Sequence, residues 1–146
     1  MLRSIWVRVG IIVVVLVGAF LLRPFFTGNA GDLNVGDCFD EPAGIAATGT
    51  DVQHHPCTDP HDAEVIFVGN FTPDSSTYPG DFTPFYESNC TPAFDAYTGL
   101  DFATDTTYNM SAYKPTADGW SSGDRQVICY AVRDDGAKMT TSLKKR

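Results

Sequence analysis

An uncharged apolar run near the N-terminus constrains this chain most, because it decides on which side of a membrane the rest folds. Val9–Leu22 carries no charge and is bracketed by Arg8 and Arg23. The apolar stretch widens to Ile5–Phe26 once both arginines extend to the interfaces, and about 20 residues suffice to cross a bilayer. The run has no polar face, which disfavours a buried core helix. We therefore predict that residues 5–26 lie in the membrane lipid bilayer.

A cleaved signal peptide is the alternative, because small residues in 27–30 stand at plausible cleavage positions. The bulky, charged link Arg23–Phe26 before them favours a retained anchor. Arg3 and Arg8 on the N-terminal side favour a cytoplasmic N-terminus. Both interpretations place the rest of the chain outside the cytoplasm. We predict a single-pass protein of the cell membrane whose C-terminal domain is extracytoplasmic.

The 146 residues have room for one domain and a short appendage. We expect an anchor over residues 1–26, a polar linker over 27–34, and an extracytoplasmic domain over 35–146. The domain closes with a basic tail, "SLKKR", which we expect to be frayed and solvated.

Four cysteines in an extracytoplasmic domain indicate two disulfides. They are Cys38, Cys57, Cys90 and Cys129. Three connectivities are possible. We favour Cys38–Cys57 with Cys90–Cys129, because this pairing keeps each bridge within a neighbouring unit.

The charge distribution argues against a nucleic-acid partner. Residues 24–113 contain no lysine or arginine although they are rich in acids, and the whole chain carries a formal net charge of −8. Binding to phosphate backbones needs a cationic face.

Hydrophobic periodicity predicts a small α+β domain, in which one main helix packs on an antiparallel sheet. Thr83–Gly99 has an apolar stripe at three- and four-residue spacings, a Pro92 that should kink or restart the helix, and Gly99 as a C-cap. Four segments have the composition of strands, and a fifth could add an edge strand. These segments are Val35–Phe39, Glu64–Phe71, Thr106–Tyr113, Arg125–Arg133 and, at the edge, Lys138–Leu143.

All the histidines fall within fifteen positions, in "DVQHHPCTDPHDAEV". His54, His55, Cys57 and His61 are ligand types that suit Zn²⁺ or Cu. However, neighbours on a strand point to opposite faces, and a disulfide-bonded cysteine offers no thiolate. We therefore expect no metal and no cofactor, and interpret the stretch as a turn that enters a strand.

The sequence offers no coherent catalytic set. An even cysteine count outside the cytoplasm argues against a free thiol nucleophile, and no Gly-x-Ser-x-Gly elbow occurs. We expect a protein that is not an enzyme. The alternatives are an envelope enzyme that uses His61 with Glu64, or a metal-binding protein that uses His54, His55 and His61.

A second concentration of polar and aromatic residues surrounds "GWSSGDR". Arg125 stands in an acidic domain, so we expect it in an ion pair, with Asp37, Asp62 or Glu64 as partner. Trp120 is expected to cover one end of the core rather than to form an interface.

Five loose motifs follow one another in an order that is specific. They are "VGDCF" (Val35–Phe39), "C-x-x-P-H-x-x-E-V" (Cys57–Val65), "Y-P-G" (Tyr78–Gly80), "C-x-x-x-F-x-x-Y-x-G" (Cys90–Gly99) and "P-x-x-x-x-W-x-x-G-D-R-x-x-x-C" (Pro115–Cys129). Over about residues 33–132 the chain resembles the septum formation family of actinobacteria.

The resemblance implies a small extracytoplasmic domain tethered by a transmembrane helix, with a role in cell division or the cell envelope. It implies no reaction or ligand. The charged positions of its motifs would form either a structural ion-pair set or a recognition surface. They are His61, Glu64, Asp124 and Arg125, and we add Asp37 and Trp120 to these candidates. The expected function is non-catalytic binding or scaffolding of an envelope or septum partner protein.

Overall fold

The structure, a computed structural model, describes residues 28–42, 51–72 and 76–146. The strands are β1 (Gly28–Asn29), β2 (Cys38–Asp40), β3 (Asp51–His55), β4 (Ala63–Asn70), β5 (Tyr108–Tyr113) and β6 (Gln126–Arg133). The helices are α1 (Thr83–Phe85), α2 (Thr91–Thr98) and α3 (Ala117–Ser121), with a 3-10 turn over Ala30–Asp32 and a π-helical turn over Tyr86–Cys90.

The described strands form one antiparallel sheet in the order β1-β3-β2-β4-β6-β5. The longest strands, β4 and β6, lie side by side near its centre. Their register shifts between Val65 and Phe67, where β4 has an irregularity. The predicted α+β class, with one main helix on an antiparallel sheet, is confirmed.

Two buried clusters lie on the opposite faces of this sheet. Along β6, Val127, Cys129 and Ala131 belong to the cluster under the helices, whereas Ile128 and Tyr130 belong to the other. The alternation follows from the period of two in a strand. On β4, Val65 and Ile66 divide between the two clusters in the same way. Burial on both faces explains why these two strands are almost continuously apolar.

The main helix consists of α1, the π-helical turn and α2 in direct succession. Pro92 lies inside this continuous helix and has no N–H to donate to the turn before it, which disturbs the regular hydrogen-bond ladder there. The π-helical turn directly before it is the irregularity that the Thr91-Pro92 pair predicts. Gly99 ends the helix in a left-handed conformation at φ 77°, as predicted.

Both predicted disulfides are present. Cys38–Cys57 joins β2 to the turn after β3, and Cys90–Cys129 joins the main helix to β6 beneath it. No free cysteine occurs among the described residues, which include all four.

Four segments differ from the sequence expectation. Asp51–His55, interpreted as part of a turn that enters a strand, forms β3. Residues 28–33, expected in a linker, pair with β3 through β1 and bury Ala30 and Leu33. Lys138–Leu143 is not a strand; only Met139 makes an isolated antiparallel bridge, to His61. The tail is not frayed, because Lys145 donates its backbone N–H to the Tyr97 carbonyl at 2.8 Å.

The predicted anchor over residues 1–26 lies outside the described residues. Within the described ranges no helix has the length and apolar character needed to cross a bilayer.

Candidate functional site

The carboxylate of Glu64 is the point at which three of the sequence motifs meet. Glu64 lies on the central strand β4 and has no accessible surface. Its Oε1 accepts hydrogen bonds from the Tyr97 and Ser142 hydroxyls, both at 2.6 Å, and its Oε2 accepts the Leu143 backbone N–H at 2.7 Å. A buried carboxylate is stable only when donors replace water in this way. Glu64 therefore fixes the main helix and the C-terminal segment to the sheet.

The contact with Glu64 also changes the pKa of the Tyr97 hydroxyl. Burial disfavours its phenolate, and the hydrogen bond and charge of Glu64 act in the same direction. Together they raise the pKa of Tyr97 to about 12. Tyr97 therefore stays a hydrogen-bond donor across the physiological range.

The turn formed by "VGDC" lies beside Tyr97 and Glu64. Gly36 has φ +95°, and a Cβ there would lie 3.4 Å from the Tyr97 hydroxyl. The Gly36 N–H donates to the Val65 carbonyl at 2.9 Å. The Asp37 side chain accepts the Asn34 N–H at 2.8 Å, which closes the turn. The backbone conformation thus favours glycine at this position, directly beside the Tyr97 hydroxyl.

His61 is also fully buried, but it contacts other groups. Its Nδ1 lies 2.7 Å from the Asp59 carbonyl, so Nδ1–H donates to that oxygen. Its backbone N–H and carbonyl both bond to Met139. Nε2 is buried and has no hydrogen-bond partner among the described residues. With no accessible surface on either His61 or Glu64, an acid–base pair formed by the two would not meet a substrate in this conformation.

Two further motifs meet at the other end of the sheet. The Tyr78 hydroxyl donates to the Pro115 carbonyl at 3.1 Å, and the Tyr78 and Trp120 rings lie 5.8 Å apart, edge to face. Trp120 is buried, as predicted, among the rings of Phe71 and Phe82.

The Arg125 guanidinium stacks on the Trp120 ring at 3.8 Å and donates to the carbonyls of Trp120 and Asp124. Asp124 caps the start of β6 by accepting the Gln126 N–H at 3.0 Å. The three carboxylates that we expected as partners of Arg125 bond to other groups: Asp37 to Asn34, Asp62 to Lys138, and Glu64 to the groups above. The contacts of Arg125 thus include a cation–π contact and carbonyl hydrogen bonds that the sequence did not predict.

His54 and His55 lie on β3, and His55 joins an ion-pair network. His55 Nε2 lies 3.0 Å from Asp40, and Lys138 contacts Asp40 at 2.6 Å and Asp62 at 3.0 Å. Burial opposes the charge of Asp40, but Lys138 and His55 outweigh it and lower its pKa.

Within the described ranges, one set of three metal-ligand types converges, formed by Cys38, Cys57 and Glu64. Its two sulfurs are bonded to each other, so they offer no thiolate.

An apolar groove between the main helix and β5 was not predicted from the sequence. Its walls are Tyr86, Glu87, Cys90, Thr91, Phe102, Met110, Ser111 and Ala112, around a volume of about 220 Å³. An adjoining polar depression continues along β5 past Phe102, Asp105, Tyr108, Asn109 and Asp134. Together they form what we call the β5 groove.

Sequence reasoning also missed Tyr97 and Ser142 as partners of Glu64. One signal was available: an acid at the head of an apolar strand, "EVIFV", must find donors if it is buried. The groove left no comparable signal, because its walls come from four separate segments.

The structure defines a disulfide-stapled α+β domain whose motif residues build its interior. The family model described as septum formation matches residues 35–145. The chain therefore belongs to the septum formation family, whose description suggests a role related to cell division. No curated protein and no solved structure gives a significant match to the chain.

Proposed function

We propose that this protein is a membrane-anchored, non-catalytic domain that binds or scaffolds a partner protein of the cell envelope at the division septum. Family membership supports the cellular setting. The apolar run over residues 5–26 and the pair of disulfides support a location outside the cytoplasm.

The single observation that carries the non-catalytic part is the use made of Glu64. The most concentrated polar motif in the chain supplies a carboxylate without accessible surface, and both its oxygens accept bonds from the protein itself. A general base must reach the proton that it removes. Glu64 meets the requirements of a structural residue instead.

The full-length chain with a fluorescent domain fused after Arg146 tests the proposal in dividing cells. We expect the label to concentrate at septa and to stay in the membrane fraction after alkaline washing. A matched variant that lacks residues 1–26 and carries a cleavable signal in their place should be exported but lose membrane retention. Uniform labelling of the cell surface throughout division would contradict the septal role.

The enzyme alternative is tested by His61→Asn, which keeps a donor toward the Asp59 carbonyl. A structural role predicts normal septal localisation and normal division in cells that carry this variant. Impaired division with an unchanged melting temperature would favour catalysis. Stoichiometric zinc or copper in the purified chain would favour the metal-binding alternative.

A further inference from the structure

The free edge of β5 is the sheet edge that flanks the groove. Among the described strands, β5 pairs with β6 alone, and the Asp134 N–H donates to the Thr107 carbonyl. Backbone groups alternate in direction along an antiparallel strand. The N–H and C=O groups of Tyr108, Met110 and Ala112 therefore point away from β6, toward the open side.

Two of these outward N–H groups are satisfied locally, and one is not. Tyr108 donates to the Asp105 side chain at 2.8 Å, and Met110 donates to Oδ1 of its neighbour Asn109 at 2.8 Å. The outward N–H of Ala112 has no such side-chain cap among the described residues. Beyond its first residue, β5 has only the Asn109 side chain bonded to an outward N–H among the described residues. The edge of β5 therefore remains available to pair with another strand.

The side chains of the same three residues face the helix. Tyr108, Met110 and Ala112 all pack against the cluster beneath the main helix. The groove above Met110 and Ala112 is closed on its far side by Tyr86 and Cys90 of the π-helical turn. A strand added to β5 would therefore place every second side chain in this apolar groove.

The charged residues that line the β5 groove indicate which kind of strand could bind there. Glu87 is exposed on the groove wall, and Asp105 and Asp134 line the adjoining depression. Neither lining contains a lysine or arginine among the described residues. A second copy of this domain would bring these acids against one another, which disfavours self-pairing. Lysine or arginine flanking the apolar residues of a partner would be attracted instead.

We propose that the β5 groove binds an extended segment of a partner protein in which apolar residues alternate with basic ones. The segment pairs antiparallel or parallel with β5 through backbone hydrogen bonds and replaces the Asn109 amide at the Met110 N–H. This assignment rests on the proposed partner-binding function and names the partner's chemistry.

The probe is a nine-residue, end-capped, fluorescent peptide that alternates lysine with valine, titrated into the full-length chain in zwitterionic detergent. Two peptides serve as controls: one alternates glutamate with valine, and one carries N-methyl groups on the backbone edge that faces β5. We expect saturable binding of the first peptide, at least about tenfold weaker binding of the N-methylated one, and none of the acidic one.

Ala112→Pro removes the outward N–H of Ala112 while leaving the ladder with β6 intact, because proline is tolerated on free edges. We expect it to weaken binding by about tenfold or more. Glu87→Gln should weaken binding by about threefold. Asp51→Asn is the matched control: it removes the same charge from β3, on the other side of β4 and β6 in the sheet, and should leave binding unchanged.

Equal affinities for the plain and N-methylated peptides would overturn the inference even if the proline variant does not fold. So would equal losses from Glu87→Gln and Asp51→Asn, which would indicate attraction to net charge alone. A dimer of the full-length chain that Ala112→Pro disperses would assign the edge to a second copy and overturn it too. Septal localisation is measured separately, so failure of peptide binding with localisation retained rejects this site and leaves the proposed function standing.

Discussion

The Tyr97 hydroxyl and Oε1 of Glu64 lie 2.6 Å apart, although 33 positions separate the two residues in sequence. Through this bond the main helix is tied to the central strand, directly beside the Gly36 turn. The C-terminal segment donates to the same carboxylate through Ser142 and Leu143. One buried acid thus organises four separate parts of the chain, and its neighbourhood is where substitutions should be most informative.

Glu64→Gln should lower the free energy of unfolding by about 2 kcal/mol. The side-chain NH₂ of glutamine would replace one carboxylate oxygen and would face a hydrogen-bond donor instead of accepting from it. Ser142→Ala removes one of the three donors and should cost about 1 kcal/mol. Urea unfolding followed by near-ultraviolet circular dichroism measures both. Glu87→Gln, the same exchange at an exposed position, is the control and should have no measurable effect. Equal stability of Glu64→Gln and the parent chain would contradict the structural role.

Tyr97→Phe should flatten the alkaline limb of the stability profile. The pKa of Tyr97 is raised in the folded state to about 12 from 10.0. Its contribution is therefore fully present below about pH 10 and is lost as the pH rises toward 12. The parent chain should lose stability over that window, and the variant should lose less. Tyr108→Phe, at a tyrosine without this contact, should keep the parent profile.

Gly36→Ala and Gly123→Ala should destabilise the chain to a similar degree. Both glycines have φ +95°, so both substitutions strain the backbone, at a cost of about 1–3 kcal/mol. An added Cβ at Gly36 would lie 3.4 Å from the Tyr97 hydroxyl, an ordinary contact distance, and at Gly123 it would meet open space. The melting temperatures of the two variants measure this. A much larger loss at Gly36 that Tyr97→Phe recovers in the same chain would contradict the prediction, because it would show a steric clash at the hydroxyl.

Replacing either disulfide by an alanine pair should destabilise the chain by about 3 kcal/mol for Cys38–Cys57 and about 4 kcal/mol for Cys90–Cys129, as the loops span 19 and 39 residues. Unfolding in denaturant under non-reducing conditions checks the order. The single variants Cys57→Ala and Cys90→Ala leave one thiol each and control for loss of the side chain. A larger effect of the shorter bridge would show that packing around Glu64 outweighs loop entropy.

Much of the fold followed from local sequence signals. The apolar runs of β4 and β6, the stripe of the main helix, Gly99 and both disulfides were predictable because each depends on residues close together or on cysteine spacing. β3 was missed because "DVQHH" alternates polar residues against one buried valine, Val52, and resembles a loop. The cation–π contact of Arg125 with Trp120 was not predicted, because counting charges does not consider an aromatic face as a partner. Contacts between distant segments, such as Lys145 with Tyr97, left no local signal.

The pairing of Gly28 with Val52 on β3 bears on how the protein stands on a membrane. If residues 5–26 are embedded as proposed, only Thr27 stands between them and β1 in the sequence, so β1 would lie close to the membrane surface. β1 and β5 are the two edges of the described sheet, and five strand spacings of about 4.8 Å separate them by roughly 24 Å. The β5 groove would therefore lie about that far from the point at which the chain enters the bilayer.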